Sequence, residues 1–210
     1  MKAVIPKSPG QLKYFDALKN YHKPIVIVSG PAGSGKTLFA CQEGVERLYR
    51  KQVDRLVITR PIVTVDEDLG YLPGSIENKM DPWTRPMFDI MDGYFSKSRI
   101  KKMVSDKIIE VSPLAYMRGR TFENCFVVAD EMQNSTKNQM KTVLTRLGDD
   151  SKMVITGDVD QCDLPDGLGG LSDLLFRVDE KELEFIERVM LEGGDIHRHP
   201  AVKEVLNVYL

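Results

Sequence analysis

The segment Gly30-Pro-Ala-Gly-Ser-Gly-Lys-Thr37 has the residue types and spacing of a phosphate-binding loop. It matches G-x-x-x-x-G-K-[ST] in full, follows an apolar run and opens a helical pattern, which is the context that this motif requires. Glycines let the backbone approach a phosphate closely, and the N–H groups at a helix N-terminus attract an anion. The residues expected to bind a nucleotide are therefore Gly30, Pro31, Ala32, Gly33, Ser34, Gly35, Lys36 and Thr37. The Lys36 ammonium is expected to reach the β- and γ-phosphates, and the Thr37 hydroxyl to coordinate Mg²⁺.

Two adjacent carboxylates, Asp130 and Glu131, end the apolar run of residues 126–129. A buried strand end is a costly place for charge unless a cation lies nearby, and Mg²⁺ supplies one. We expect Asp130 to hold the metal ion with Thr37, and Glu131 to polarise the water that attacks the γ-phosphate. A helix N-cap aspartate followed by a first-turn glutamate gives the same residues, but the phosphate loop favours the catalytic interpretation.

A third polar cluster, Thr156-Gly-Asp-Val-Asp-Gln161, closes the next apolar run. A neutral amide at a strand end close to the γ-phosphate can donate to it and so respond to its presence. Gln161 is the candidate for this role, and a solvated loop glutamine is the alternative.

These motifs need a scaffold that brings several strand ends to one edge. Short apolar runs alternate with helical patterns along the chain, which is typical of an α/β fold with a mainly parallel sheet between two layers of helices. The predicted strands are residues 24–29, 55–59, 107–111, 125–129 and 152–156. The predicted helices are residues 36–51 and 136–147, the second with an apolar face of core residues.

The chain has 210 residues and is expected to form a single domain over 1–210. Residues 60–106 are too long for a short crossover and contain Pro61, Pro73, Pro82 and Pro86. We interpret this stretch as an insertion or functional loop region.

Composition excludes several classes of protein. The net charge of −2 excludes nucleic-acid binding by bulk charge alone, although a local basic patch remains compatible with it. No apolar run is long enough to span a membrane and no signal peptide is recognised, so no membrane partner is expected. Three cysteines without a C-x-x-C pair are typical of a reducing compartment, and we expect a cytoplasmic protein.

Several motifs together resemble the PhoH family of P-loop ATPases, which is similar to the first motor domain of superfamily 1 helicases. Besides the phosphate loop, the residues that carry the resemblance are 59–61, 69–73, 130–134, 144–148, 157–161 and 198–200. The resemblance covers residues 8–209 and implies a RecA-like core that binds ATP and Mg²⁺. It also implies a role on single-stranded RNA or DNA, here as the core alone, without an added nuclease or RNA-binding domain.

The helicase likeness implies roles for two glutamines. Gln11 precedes the phosphate loop as does the glutamine that reads adenine in helicases, and its amide can both donate and accept. Gln133 follows Glu131 by two residues, as in helicase D-E-x-Q motifs, and is a candidate for coupling the phosphate site to a nucleic-acid surface. An ordinary helix surface residue is the alternative for Gln11, and a polar residue at a helix N-terminus is the alternative for Gln133.

A helicase with two RecA-like domains completes its ATP site with an arginine from the second domain, and only one such domain fits in this chain. A neighbouring subunit is the natural source of that arginine, and head-to-tail contacts of this kind form rings. The family resemblance implies a hexamer. The candidates for the arginine acting in trans are Arg146 and Arg198, and Arg60 is expected to act within its own subunit or on nucleic acid.

The predicted nucleic-acid surface combines cations with aromatic side chains. It consists of Lys97, Arg99, Lys101, Lys102, Lys107, Tyr116, Arg118, Arg120 and Phe122. A solvated basic helix face is the alternative. Three functions stay open at this point: an ATPase that moves along or remodels nucleic acid, an ATP-dependent oligomeric switch for a protein partner, and a small-molecule kinase.

Overall fold

The computed structural model describes residues 4–61, 87–164, 169–179 and 181–208. Within these ranges, strands β1–β6 span Ile25–Ser29, Arg55–Arg60, Ile109–Pro113, Cys125–Ala129, Lys152–Gly157 and Ile186–Met190. Helices α1–α6 span Pro9–Lys19, Lys36–Tyr49, Lys97–Ser105, Lys137–Leu144, Gly170–Asp179 and Pro200–Val208. Residues 87–91 are also helical, and 3₁₀ turns cover Leu114–Met117, Met132–Asn134, Val159–Gln161 and Gly193–Asp195.

The six strands form one parallel sheet in the order β3-β2-β4-β5-β1-β6. The central strands are rich in valine and isoleucine because both of their faces are buried by helices. Since all strands run the same way, their carboxyl ends lie along one edge of the sheet, the carboxyl edge, and their amino ends along the opposite, amino edge. The ends of β1, β4 and β5 are neighbours at the carboxyl edge, with β5 between the other two. The predicted α/β class and parallel sheet are confirmed.

The five predicted strands correspond to β1–β5, each within two residues of its predicted bounds. Strand β6 has no comparable signal, because Glu187 and Arg188 interrupt its apolar residues. It is the outermost strand on one side of the sheet and pairs with β1 alone among the described strands. An edge strand is partly solvated, so it does not need the continuous apolar run that identifies a central strand.

Helices cover both faces of the sheet. On one face α1, α2, α3 and residues 87–91 bury Tyr14, Phe39, Met91 and Ile100. On the other face α4, α5 and the turn at Met132–Asn134 bury a second apolar cluster. This helix–sheet–helix sandwich is the predicted RecA-like arrangement, and it leaves the loops at the carboxyl edge to bind a ligand.

The two predicted helices are confirmed but end earlier than expected. Helix α2 ends at Tyr49, because Lys51 has a φ angle of 58° and turns the chain away. Helix α4 starts after the N-cap Thr136 and ends at Leu144. Leu147, predicted to lie on the same helical face, instead pairs with a residue preceding β4.

The predicted insertion over residues 60–106 lies partly outside the described residues, since 62–86 are not among them. The family motif at residues 69–73 lies outside them as well. The described remainder of the stretch comprises residues 87–91 and α3, which pack on the α2 side of the sheet. Among the described residues, no helix is both long and apolar enough to cross a membrane.

Candidate nucleotide-binding site

The phosphate loop joins β1 to α2 at the carboxyl edge of the sheet. Gly33 and Gly35 have φ angles of 84° and 95°, which glycine adopts without strain. Gly35 caps α2 without a side-chain hydrogen bond, so the first N–H groups of the helix remain available to a ligand. The segment therefore has the geometry of an anion-binding loop.

The Lys36 ammonium bends back onto its own loop. Its Nζ donates to the carbonyl oxygens of Gly30 and Pro31, at 2.5 and 3.0 Å. Burial lowers the pKa of Lys36, whereas the nearby carboxylates of Asp158, Glu131 and Asp130 act in the opposite direction. A phosphate placed in the loop offers this ammonium a charged acceptor in place of two neutral carbonyls, which is a stronger interaction.

Thr37 and Asp130 come together from different elements. The Thr37 hydroxyl at the start of α2 donates to Asp130 Oδ1 over 2.8 Å, and the Thr156 hydroxyl at the end of β5 donates to the same oxygen. A hydroxyl and a carboxylate are hard oxygen ligands of the kind that Mg²⁺ takes, with waters and phosphate oxygens completing its octahedron. These residues therefore fit the predicted metal site.

Glu131 follows Asp130 with an unusual backbone, at φ 52° and ψ 39°. This left-handed conformation is uncommon for a residue other than glycine, and it turns the second carboxylate away from the first. Glu131 Oε2 accepts a 2.6 Å hydrogen bond from the Gln133 amide, which leaves Oε1 available. Strained conformations of this kind concentrate at functional sites.

The end of β5 connects to the same carboxylate through Gln133. The Gln133 Oε1 accepts from the Asp158 N–H over 3.1 Å, while its Nε2 donates to Glu131. Asp158 Oδ2 in turn accepts from Gln161 Nε2 over 2.6 Å. Gln161, the predicted γ-phosphate sensor, is thus connected to Glu131 by hydrogen bonds through Asp158 and Gln133. A displacement of Gln161 can therefore be transmitted to Glu131.

These side chains line a cavity of about 450 Å³. Its polar wall includes Lys36, Thr37, Asp130, Glu131, Asp158, Gln161 and Arg60. Its remaining wall is largely apolar and comes from α2, β2, β4 and residues 87–90. The structure thus brings part of the predicted phosphate loop, the predicted metal ligands and the predicted catalytic residues Lys36, Glu131 and Gln161 to one cavity. Arg146 and Arg198, also predicted to be catalytic, are not among the residues that line it.

Gln11 is held against the phosphate loop by hydrogen bonds within the chain. It is buried, and its Nε2 donates to the carbonyl oxygens of Ser34 and Asp195, both at 3.0 Å. Its Oε1 accepts from the Lys7 N–H at 2.9 Å. Both amide hydrogens are therefore used within the chain, where Gln11 fastens the phosphate loop to the segment after β6. That Gln11 reads adenine stays a prediction.

The two arginines predicted to act in trans lie in different places. Arg198 is half-buried against its own phosphate loop, so close that a Cβ at Gly33 would collide with its guanidinium group. The Arg198 guanidinium therefore reaches the phosphate loop of its own subunit, and its action on a neighbouring site stays a prediction. Arg146 lies near the start of β4, where its guanidinium donates to the carbonyl oxygens of Thr142 and Arg120 at 3.2 and 3.3 Å.

The predicted nucleic-acid surface is only partly assembled. The cations at Lys97, Arg99, Lys101, Lys102 and Lys107 are all exposed on or beside α3. Arg120 instead forms a two-pronged ion pair with Glu110, which lowers the pKa of that carboxyl through the hydrogen bond. Phe122 is fully buried and cannot stack on a base. The basic helix therefore remains as a candidate surface, while Arg120 and Phe122 have structural roles.

Three residues of the site carry little sequence signal. Thr156 and Asp158 belong to a recognisable motif, but only the strand order shows that β5 brings them between the phosphate loop and Asp130. Arg60 lines the cavity because β2 ends beside β4. A strand-end position was the available signal for all three, since α/β folds bind ligands there.

The fold and the cavity define a P-loop NTPase core of the RecA-like type. The large terminase of a thermophilic bacteriophage superimposes with a TM-score of 0.58, over 97% of this chain and 50% of that chain, at 12% identity. The DUF1998 helicase MrfA, solved bound to DNA, superimposes with a TM-score of 0.51, over 89% of this chain and 27% of that chain, at 12% identity. At such low identity these likenesses show the fold alone.

Sequence relatives narrow the class to a family. The PhoH-like protein family matches residues 3–210. A PhoH-like protein of Mycobacterium tuberculosis is 44% identical over 99% of this chain and 58% of its own length. Protein PhoH of Escherichia coli is 41% identical over 98% of this chain and 58% of its own length. The chain belongs to the PhoH family, as its motifs imply, and it spans about three fifths of the length of these relatives.

Proposed function

We propose that this chain hydrolyses ATP in a Mg²⁺-dependent reaction. The observation that carries the proposal is the meeting of Thr37 Oγ1 and Asp130 Oδ1, 2.8 Å apart, in the cavity that also holds Lys36 and Glu131. A metal-ligand pair, a phosphate-binding lysine and a second carboxylate are the parts that phosphoryl transfer to water requires.

Each residue has a distinct task in this proposal. Lys36 exchanges its loop carbonyls for the β- and γ-phosphates, and the oxygens of Thr37 and Asp130 hold Mg²⁺. When held by these oxygens, Mg²⁺ would supply positive charge opposite the phosphate oxygens. Glu131, oriented through Oε2 by Gln133, uses Oε1 to take a proton from the attacking water. Gln161 donates to the γ-phosphate and releases it after hydrolysis.

Turnover of ATP with Mg²⁺ tests the proposal. We expect Glu131→Gln to bind ATP but to lower kcat by about 10²–10⁴-fold, because the geometry is kept and the base is lost. Lys36→Ala is expected to weaken ATP binding itself. Glu123→Gln is the matched control, because Glu123 is an exposed carboxylate at the amino end of β4. Full turnover in Glu131→Gln would exclude this residue as the base, and GTP in parallel reports base preference.

The proposed substrate is single-stranded RNA or DNA, and the proposed compartment is the cytoplasm. The exposed cations of α3 support a phosphate contact. The MrfA structure, which shares the fold, contains DNA. Cys41, Cys125 and Cys162 are free, which suits a reducing compartment.

We also propose a ring of subunits, six by family resemblance, in which Arg146 acts on the neighbouring site. Arg146 lies near the amino end of β4, whereas Asp130 follows the carboxyl end of that strand. Head-to-tail contact brings opposite edges of two subunits together, and such contacts close into rings. Light scattering at several concentrations tests the assembly: an active monomer at every concentration would exclude the ring.

A further inference from the structure

Two cations converge on the middle of the phosphate loop. The Arg198 guanidinium covers Gly33, where a built Cβ would lie 3.0 Å from Arg198 Cζ. The Lys36 ammonium lies against the same loop, where it donates to the carbonyl oxygens of Gly30 and Pro31. Within the described part of the chain, no carboxylate lies within ion-pair distance of Arg198.

The backbone that carries Arg198 is fastened to the loop. The Gln11 amide bridges the carbonyl oxygen of Ser34, inside the loop, and that of Asp195, three residues before Arg198. The Asp195 carboxylate accepts from the Glu192 N–H over 2.8 Å and closes the turn between them. The position of Arg198 over the loop is therefore built by contacts that do not involve its own charge.

A guanidinium that covers an anion-binding loop and has no carboxylate within ion-pair distance among the described residues is placed to bind an anionic ligand. We propose that Arg198 is a phosphate-binding residue of its own subunit, and that with Lys36 it binds the phosphate groups of the nucleotide. This inference rests on the proposed function, and it assigns a ligand contact to a residue beyond the phosphate loop. A planar guanidinium suits this task, since it donates two parallel hydrogen bonds to phosphate oxygens.

Binding by purified protein tests the assignment. The probes are ATP with Mg²⁺, inorganic pyrophosphate and adenosine, measured by calorimetry for wild type, Arg198→Ala and Arg198→Lys. We expect Arg198→Ala to weaken ATP and pyrophosphate by about ten-fold or more and to leave adenosine unchanged, because the lost contacts are charge-assisted bonds to phosphate. Arg198→Lys should retain part of the affinity. Arg50→Ala is the control, since Arg50 is an exposed arginine at the far end of α2.

The unliganded protein gives a second readout. Since Arg198 forms no ion pair among the described residues, its removal should leave the Tm without nucleotide nearly unchanged. A residue that merely holds the fold would lower the Tm and weaken all three probes alike, and that result would overturn the assignment. Unchanged ATP affinity in Arg198→Ala would overturn it too. Failure of the wild-type protein to bind ATP would instead refute the proposed function.

Subunit mixing separates action within a subunit from action across an interface. Glu131→Gln subunits mixed with Arg198→Ala subunits should show no turnover beyond the sum of the two, because each defect lies in its own site. Recovered turnover would place Arg198 on the neighbouring site and overturn the assignment. The same mixture with Arg146→Ala should recover turnover where Arg146 acts in trans, which confirms that mixed interfaces have formed.

Discussion

Charged side chains are buried at both the amino and the carboxyl edge of the sheet, but the groups that partner them differ. At the amino edge, Lys152 Nζ donates to the carbonyl oxygens of Ala17, Asn20 and Lys23, at 2.8–2.9 Å. Those carbonyls belong to the end of α1 and the turn that follows it. The three hydrogens of the ammonium thus have three acceptors, and no ligand is needed to complete them.

Arg47, near the amino edge, is also partnered by groups of the chain itself. Its Nε donates to Glu43 over 2.7 Å, and its Nη2 donates to the Leu18 carbonyl oxygen over 2.8 Å. The guanidinium also lies 4.5 Å from the centre of the Tyr21 ring. Lys152 and Arg47 thus donate to two of the carbonyl groups in the last turn of α1, those of Ala17 and Leu18, where a helix leaves carbonyls without intrahelical partners.

At the carboxyl edge the cations Lys36 and Arg198 form no ion pair with a carboxylate among the described residues. Lys36 bonds only to neutral loop carbonyls, and Arg198 lies beside it without a carboxylate within ion-pair distance among the described residues. Structural charges are satisfied by the chain itself, whereas functional charges stay short of a partner that a ligand supplies.

The largest effect is expected at the carboxyl edge. Asp130→Asn keeps the shape of the side chain but removes the charge proposed to hold Mg²⁺, so turnover should fall by about 100-fold or more. Turnover measured against Mg²⁺ concentration checks this, with Asp149→Ala as an exposed control near the amino edge. Wild-type Mg²⁺ dependence in Asp130→Asn would show that the Asp130 charge does not hold the metal.

At the amino edge the expected effect is on stability. Lys152→Met removes the ammonium donor from three carbonyl oxygens, and the free energy of unfolding should fall by about 2 kcal/mol. Urea unfolding measures it, with the exposed Lys181→Met as control. ATP affinity should be unchanged, and a selective loss of ATP affinity would show that the two edges are not separate.

The same lysine predicts a dependence of stability on pH. Burial, followed by the Arg47 charge, lowers the pKa of Lys152 from 10.5 to about 7, although its three carbonyl acceptors favour the charged form. Between these pH values the unfolded chain binds the extra proton, so the free energy of unfolding should rise with pH, by up to about 1.4 kcal/mol per unit. Urea unfolding at pH 7 and 9 should show this slope in the wild type and a smaller one in Lys152→Met. Equal slopes would mean that the carbonyls keep the ammonium charged.

At the carboxyl edge, Gln133 is expected to position Glu131 without contacting the phosphate loop. We expect Gln133→Ala to lower kcat by about ten-fold with little change in KM, because it removes a hydrogen bond to the charged Glu131 but no contact with the phosphate loop. Steady-state kinetics separate the two parameters, with Asn138→Ala, an exposed amide on α4, as control. A rise in KM at unchanged kcat would contradict the positioning role.

The smallest effect is expected from charges that are buried at neither edge. Lys101 and Lys102 are exposed on α3, and their double alanine variant should weaken binding to single-stranded RNA. The log–log salt dependence should become flatter by about 0.7 for each lost phosphate contact. Fluorescence anisotropy at several salt concentrations measures this, with Lys13→Ala and Lys181→Ala combined as control. An unchanged slope would leave α3 as a solvated face.

Much of the fold and of the site can be predicted because the signals are local. The phosphate loop needs a fixed spacing within eight residues, and the central strands need continuous apolar runs. Asp130 and Glu131 are recognisable because charge directly follows such a run. Each of these patterns is written into one short stretch of sequence.

The remaining features depend on contacts between distant parts of the chain. Gln11 contacts Asp195, and Arg198 covers Gly33, so neither environment has a local signature. The pattern before the loop predicted an adenine contact for Gln11 because it resembles a helicase motif, while the structure uses both of its amide hydrogens elsewhere. Strand β6 lacks a signal because an edge strand tolerates charge.

The pairing of β6 with β1 also sets the order of events during synthesis. Ile25 at the start of β1 pairs with Ile186, so the strand that carries the phosphate loop receives one of its neighbours from the far end of the chain. Contacts of such large sequence separation form slowly, since a long loop must close first. On the ribosome, β1 therefore keeps an exposed edge until residues 186–190 emerge. Nascent chains are expected to aggregate or to recruit chaperones in that interval, and to gain a complete nucleotide site only at its end.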